Sequence, residues 1–196
     1  MTPMLSRSAL ASGFGLAALM ASTRSHHFGT VLHLPDASWA VFFLAGFYLR
    51  PWWVFPALLA LAGTSDYVAI KAFSVSDFCI SRAYGFLLPA YGALWLAGRW
   101  YAGRYRFALS TLVPLVASVL AGATLCELFS SGGFYFFSGR FDPSLTEFGS
   151  RLARYFPLSL AAMAFYVLLA TIVHVALAAI PLSASNNPQT QGLKAR

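Results

Sequence analysis

A chain of 196 residues that is 59% hydrophobic and only 10% charged lies far from the balance of a water-soluble domain. Its net charge of +7 would point to nucleic acid in a soluble protein, but here the basic residues stand at the ends of apolar runs, where anionic lipid headgroups meet them. Nucleic acid is therefore excluded as a partner, and the chain reads as an all-α integral membrane protein lying in a lipid bilayer.

Six apolar runs follow one another at residues 8–22, 37–49, 51–65, 83–98, 107–126 and 156–180. They form one six-helix transmembrane domain over residues 1–182, and the polar tail at 183–196 reads as disordered. The last two runs, of 20 and 25 residues, match a hydrocarbon core that takes about 20 helical residues. The first four hold 13 to 16 apolar residues and must continue through polar positions. Such positions are tolerated at membrane depth only against protein or a water-filled cavity.

Charge then orients the bundle. The segments before the first run, between the second and third, between the fourth and fifth, and after the sixth hold Arg7, Arg50, Arg99, Arg104, Arg106, Lys194 and Arg196 and no acid. The three opposite loops hold six bases, Arg24, Lys71, Arg82, Arg140, Arg151 and Arg154, against Asp36, Asp66, Asp77, Glu127, Asp142 and Glu147. Lys and Arg mark the cytoplasmic side, which predicts both termini and the tail inside and every carboxylate outside.

In the first run Ala9, Gly13, Ala17 and Ala21 recur every fourth residue. Four small side chains on one helical face let another helix approach closely, either within this bundle or as a docking face for a partner membrane subunit. The same run also fits the apolar core of a signal peptide starting at Arg7, although no small-x-small cleavage pattern follows Met20. The loop after it carries His26, His27 and His33, either surface histidines or ligands that complete a metal site with Cys79.

Fusing residues 37–65 into one crossing would place Arg50 and Pro51 at mid-bilayer, at a cost of at least about 2.5 kcal/mol for the arginine. Two separate helices are predicted instead. Trp52, Trp53, Trp95, Trp100 and Tyr101 gather near the basic loops and Trp39 near an acidic one, as interfacial belts do.

Residues 66–84 are the densest polar stretch on the outer face. Cys79 stands between Asp77 and Arg82 near the start of the fourth helix, where exposed amides and Arg82 favour a thiolate. A thiolate there binds a soft metal centre or acts as a nucleophile. Two other readings stay open: a small packing residue, and a disulfide with Cys126.

The last outer loop, residues 130–155, opens with Ser130-Ser131-Gly132-Gly133 and a run of aromatics that includes Tyr135, which predicts a flexible lid. Ser144 and Glu147 are spaced as a capping box, Leu145, Phe148 and Leu152 share a face, and Glu147 and Arg151 pair across one turn. This predicts a short helix that either seals the bundle or binds a ligand. His174 is the only histidine inside a run, which gives little support to a haem held between two axial ligands. No Cys-x-x-Cys, Gly-x-Ser-x-Gly, His-Glu-x-x-His or phosphate-binding glycine loop occurs.

Six short helices in 196 residues, both termini inside, an outward site on the odd-numbered loops and a small-residue face on the first helix resemble the S-components of energy-coupling factor (ECF) vitamin transporters. More narrowly, Ser76-Asp77-Phe78-Cys79-Ile80-Ser81-Arg82-Ala83-Tyr84, with its single cysteine, is similar to the BtuM family of cobalamin-specific S-components from Gram-negative bacteria. The likeness spans the chain by architecture and rests on that one segment for its substrate. It implies that Cys79 is the ligand to the cobalt of cobalamin. It also implies that the chain works either with an energy-coupling membrane module or as a solitary transporter. Cobalt and nickel S-components carry a histidine directly after the initiating Met; this chain begins Met1-Thr2-Pro3, which disfavours uptake of the free metal ion.

The expectation is a multi-pass protein of the bacterial inner membrane that captures cobalamin from the periplasm and has no cofactor of its own. Cys79 is the cobalt ligand, and His27, Asp66, Asp77, Arg82, Tyr84, Tyr135 and Arg151 are contacts inferred from polarity and side. Thiolate-assisted loss of cyanide from cyanocobalamin is the one reaction this reading allows. The alternatives are an S-component for another vitamin and a structural or assembly subunit of a membrane complex.

Overall fold

The computed structural model of the protein describes residues 7–24, 34–73 and 81–185. Among these residues there are helices and no strands: α1 (Arg7–Arg24), α2 (Ser38–Tyr48), α3 (Val54–Phe73), a 3-10 helix (Arg82–Phe86), α4 (Leu87–Ala102), a 3-10 turn (Leu109–Thr111), α5 (Leu112–Phe137) and α6 (Leu145–Ser185). Three helical stretches, Val54–Ala72, Leu109–Phe137 and Leu145–Ala178, are long and apolar enough to cross a membrane.

The split within residues 37–65 is present. α2 ends in an extended Leu49 and α3 begins at Val54, so Arg50 and Pro51 occupy the break. Proline disfavours helical backbone in the residue before it, which places the boundary there.

Other boundaries differ from the sequence reading. α3 continues through Asp66 to Phe73, so Asp66 is helical. α5 continues past Cys126 to Phe137, so residues 130–137 form helix where a flexible lid was expected. The two glycines serve close packing: Gly132 and Gly133 are buried, and a Cβ on Gly133 would lie 2.4 Å from Cγ of Phe86. The turn comes at Gly139, whose φ of +72° suits glycine. The helix predicted from residue 144 and the run at 156–180 are one helix of 41 residues, which also enters the tail expected to be disordered, at 183–185. At 1.5 Å per residue α6 is about 60 Å long, twice a hydrocarbon core of about 30 Å, so its ends lie beyond the apolar layer.

Contacts between helix ends set the topology. Arg24, Ser38, Asp66 and Tyr84 meet at one end. At the other, Arg99 donates to the Arg50 carbonyl at 2.7 Å, and Tyr48 and Tyr105 flank His174. Successive helices therefore run in opposite directions. Arg50, Arg99, Arg104 and Arg106 gather at one end, and Asp36, Asp66, Asp142 and Glu147 at the other.

α2 is the centre of the bundle and touches every other α-helix. Its 11 residues span only about 16 Å, and residues 40–46 are all buried, as a helix apolar on all sides requires. Its first turn is tied down by polar groups: the Ala37 amide donates to Thr23 Oγ1 at 3.1 Å, and the Ser38 amide to Asp36 Oδ1 at 2.9 Å. Tyr166 of α6 donates to the Pro35 carbonyl at 2.7 Å.

α2 and α4 cross at two glycines. A Cβ on Gly46 would lie 2.1 Å from the Trp95 carbonyl oxygen, and one on Gly98 would lie 2.0 Å from that of Phe43. Backbone cannot yield as a side chain does, so neither position accepts alanine in this packing. Above the crossing Phe42 and Tyr91 stack with centroids 4.3 Å apart.

Gly46→Ala and Gly98→Ala are each expected to destabilise the detergent-solubilised protein by about 1–3 kcal/mol. Gly15→Ala, at an exposed helical position with nothing near its Cβ, should be neutral or stabilising by up to about 1 kcal/mol. Thermal unfolding midpoints check this. Equal midpoints for Gly98→Ala and Gly15→Ala would show that the helices do not cross at these glycines.

Candidate functional site

The acidic end of the bundle carries two clusters of polar side chains, and the first is built around Arg24. At the last position of α1, its side chain is only 8% exposed, and it grips Asp66 of α3 with two parallel bonds, Nε to Oδ1 at 2.7 Å and Nη2 to Oδ2 at 2.8 Å. Nη1 donates to the Ser38 hydroxyl at 2.9 Å and to the Tyr91 hydroxyl at 2.7 Å. Ser38 passes its own proton to Asp36 Oδ1 at 2.7 Å, and the Tyr84 hydroxyl donates to Asp66 Oδ2 at 2.7 Å. One guanidinium thus joins α1, α2, α3 and α4, and Asp66 extends the network to the 3-10 helix.

A guanidinium does not lose its proton in proteins, so this buried cation needs every one of these partners. The bidentate geometry fixes the relative rotation of α1 and α3 as well as their distance.

The second cluster lies between α5 and α6. A cavity of about 270 Å³ is lined by Glu127 and Ser131 on one side and by Tyr135, Phe141, Phe148 and Arg151 on others. Ser131 donates to Glu127 Oε1 at 2.7 Å, which satisfies one oxygen of a carboxyl only 3% exposed. The Tyr135 hydroxyl donates to the Asp142 carbonyl at 3.1 Å or to Glu147 Oε2 at 3.3 Å and accepts from the Ser144 amide at 3.2 Å, which pins the start of α6 to α5. Arg151 pairs with Glu147 at 2.8 Å, as the one-turn spacing predicted, and covers the Phe141 ring 4.5 Å from its centroid.

The 3-10 helix Arg82–Phe86 joins the two clusters. Ser81 caps it by accepting from the Ala83 amide at 3.2 Å. Tyr84 turns toward Asp66, and Phe86 turns the other way, onto Gly133 and Phe137 of α5.

The predicted contacts divide accordingly. Asp66 and Tyr84 are brought together directly; Tyr135 and Arg151 share the second cluster; Arg82 is exposed at the start of the 3-10 helix. His27, Asp77 and Cys79, with His26 and His33, lie outside the described residues, and so does any pairing of Cys79 with Cys126, whose side chain is buried. Among the described residues no three metal-ligating side chains come together. Arg24, Ser38 and Tyr91, the centre of the first cluster, were not singled out from the sequence. The available signal was weak: a lone arginine ending an apolar run whose own side of the membrane holds the acids.

Of the small-residue stripe, Ala9, Gly13 and Ala17 line a groove of about 280 Å³ between α1 and α3, with Leu49 and Trp53 on its far wall. Ala21, the fourth member, does not line it. Gly13 faces Leu49 at ordinary contact distance, so part of this stripe serves the bundle itself.

No protein-family model matches the chain, and no curated protein does. The chemistry of the site therefore rests on its own residues: a fixed cation shared between one carboxylate and two hydroxyls, with Asp36 and Tyr84 one bond further out, and a small aromatic chamber with a carboxyl in its wall.

Asp66→Asn leaves Arg24 buried without its counter-ion and should cost on the order of 3 kcal/mol. Tyr84→Phe removes one bond to a charged acceptor and should cost about 1.5 kcal/mol. The double variant Arg24→Met with Asp66→Leu should be more stable than Asp66→Asn, because no charge is left buried. Thermal midpoints of the three purified variants check the order, and the reverse order would refute the proposed role of the pair.

Proposed function

We propose that this protein is a cobalamin-capturing membrane transport subunit of the ECF S-component type, with Cys79 as the axial ligand to cobalt. The observation that carries the reading is the bond between Asp66 and Tyr84. These two inferred contacts, 18 residues apart, stand on either side of the segment that contains Cys79 and meet at the acidic end of the bundle. In this reading α1, α2 and α4 cross the membrane together with the three longer helices. The acidic end faces the periplasm, and both termini are cytoplasmic.

A cavity of 270 Å³ lies at the small end of ligand pockets and holds one amide arm of a corrinoid rather than its ring. The ring would lie across the outer end of the bundle, near Tyr84 and Asp66, with an arm entering toward Glu127 and Arg151. Soft sulfur suits cobalt better than the surrounding oxygens do. On binding, the thiol gives up its proton and sulfur displaces the nitrogen base from the axial position of cobalt opposite cyanide; electron donation through the metal then weakens the bond to the ligand opposite. In cyanocobalamin that ligand is cyanide, which leaves and takes up a proton, with no change in oxidation state.

Purified protein incubated with cyanocobalamin and washed is expected to stay coloured, at about one corrinoid per chain and micromolar or tighter affinity, about −8 kcal/mol or better. Cys79→Ser should bind more weakly, leave the visible spectrum of the vitamin unchanged and release no cyanide. Tyr84→Phe should keep the spectral shift with reduced affinity. Coordination expels a proton, so the wild-type shift should grow with pH. Absence of retained colour for any corrinoid would defeat the proposal in favour of an assembly subunit, and tight binding of another vitamin would favour a different S-component specificity.

A further inference from the structure

A further cavity lies at the opposite, basic end of the bundle. A cavity of about 320 Å³ opens between α2, α4, α5 and α6, walled by Phe43, Phe47, Tyr48, Tyr105, Leu115 and His174. A dry cavity of about 150 Å³ already accommodates benzene, so this one takes a longer stretch of hydrocarbon.

The polar groups of its wall are engaged with one another. Nδ1 of His174 lies 3.2 Å from the Tyr48 hydroxyl, and Nε2 lies 2.9 Å from the Tyr105 hydroxyl. A neutral imidazole offers one donor and one acceptor, so each hydroxyl finds a complementary role. Burial, with Tyr101 nearby, pushes the Tyr105 phenol up. Thr171 donates to the Val167 carbonyl at 2.7 Å, and Thr111 accepts from the Arg106 amide at 3.3 Å. What the interior offers a guest is apolar contact.

Its rim is different. Elsewhere at this end of the bundle the arginines are engaged by aromatic rings, Arg99 at 4.6 and 4.7 Å from those of Trp52 and Trp95 and Arg104 at 3.7 Å from that of Trp100. Arg106 lines the cavity. Among the described residues its guanidinium has no hydrogen-bond or ion-pair partner. Beside it Phe107, Leu109 and Leu112 are 59%, 85% and 45% exposed, an apolar surface for bilayer hydrocarbon. An apolar chamber with a lone cation at its rim, opening among membrane-facing side chains, matches a lipid with a negative headgroup.

The geometry points to a binding site for one anionic phospholipid, with part of an acyl chain in this cavity and the phosphate on Arg106. Such a lipid fills a space that hydrocarbon would otherwise leave poorly packed, and holds α2, α4, α5 and α6 together at the end opposite the proposed substrate site.

The test is native mass spectrometry of the full-length protein titrated with dioleoylphosphatidylglycerol or dioleoylphosphatidylcholine. The wild type should retain one phosphatidylglycerol about fivefold more tightly than phosphatidylcholine, the preference that one interfacial arginine supplies. Arg106→Gln, an exposed substitution, should bring the two lipids to parity. Leu115→Trp, which fills the chamber, should weaken retention of both, and Val175→Trp does the same from the α6 wall should the first variant not fold. Equal retention of both lipids by the wild type, an undiminished preference in Arg106→Gln, or unchanged retention in a folded chamber-filling variant would each overturn the site. None of these readouts depends on cobalamin.

Discussion

The meeting of α2 and α4 at Gly46 and Gly98 is the constraint on which the rest of the bundle depends. With no side chain at either position, carbonyl oxygens sit where a Cβ would otherwise lie. Such close approach places Phe42 against Tyr91 and Phe43 near Tyr101, so aromatic stacking follows from two missing methyl groups. Dispersion between closely packed helices is a main source of association in lipid, where the hydrophobic effect between spans is absent. A short helix surrounded by five others is the natural place for it.

Once α2 is central, its two ends lie in chemically different surroundings. Its first turn lies among charges: Ser38 both receives a bond from Arg24 and gives one to Asp36. Its last turn lies among aromatics, where Tyr48 reaches His174 and Phe47 stacks on Tyr101. Polar groups satisfy one another at both ends, but those at the first carry charge, whereas those at the second are two phenols and an imidazole set among aromatic rings.

The Arg24 network illustrates how a polar cluster is afforded at the end of an apolar bundle. A lone guanidinium with 8% of its side chain exposed would be costly, but four of its five N–H groups have partners within 2.9 Å. Those partners come from three other helices, so the network acts as a register lock among four. Tyr84 carries the same lock to the 3-10 helix, and Phe86 of that helix presses into the gap at Gly133.

From the sequence alone came the all-helical membrane class, the division of charge between the two ends, the break at Arg50-Pro51 and the Glu147–Arg151 pair. Each depends on local pattern: composition, like charges recurring at alternate boundaries, a proline restricting its predecessor, and a spacing of four. Asp66, Tyr84, Tyr135 and Arg151 were legible as polar groups on one side, because side follows from counting spans. Tertiary structure alone decided that Gly132-Gly133 packs instead of bending, since a glycine tolerates both and only the presence of Phe86 selects one. It alone decided that α2 is central and that Arg24 grips Asp66, a partner 42 residues away. Which distant groups meet depends on how helices rotate and cross, and that is set by the summed fit of all their faces rather than by any one segment.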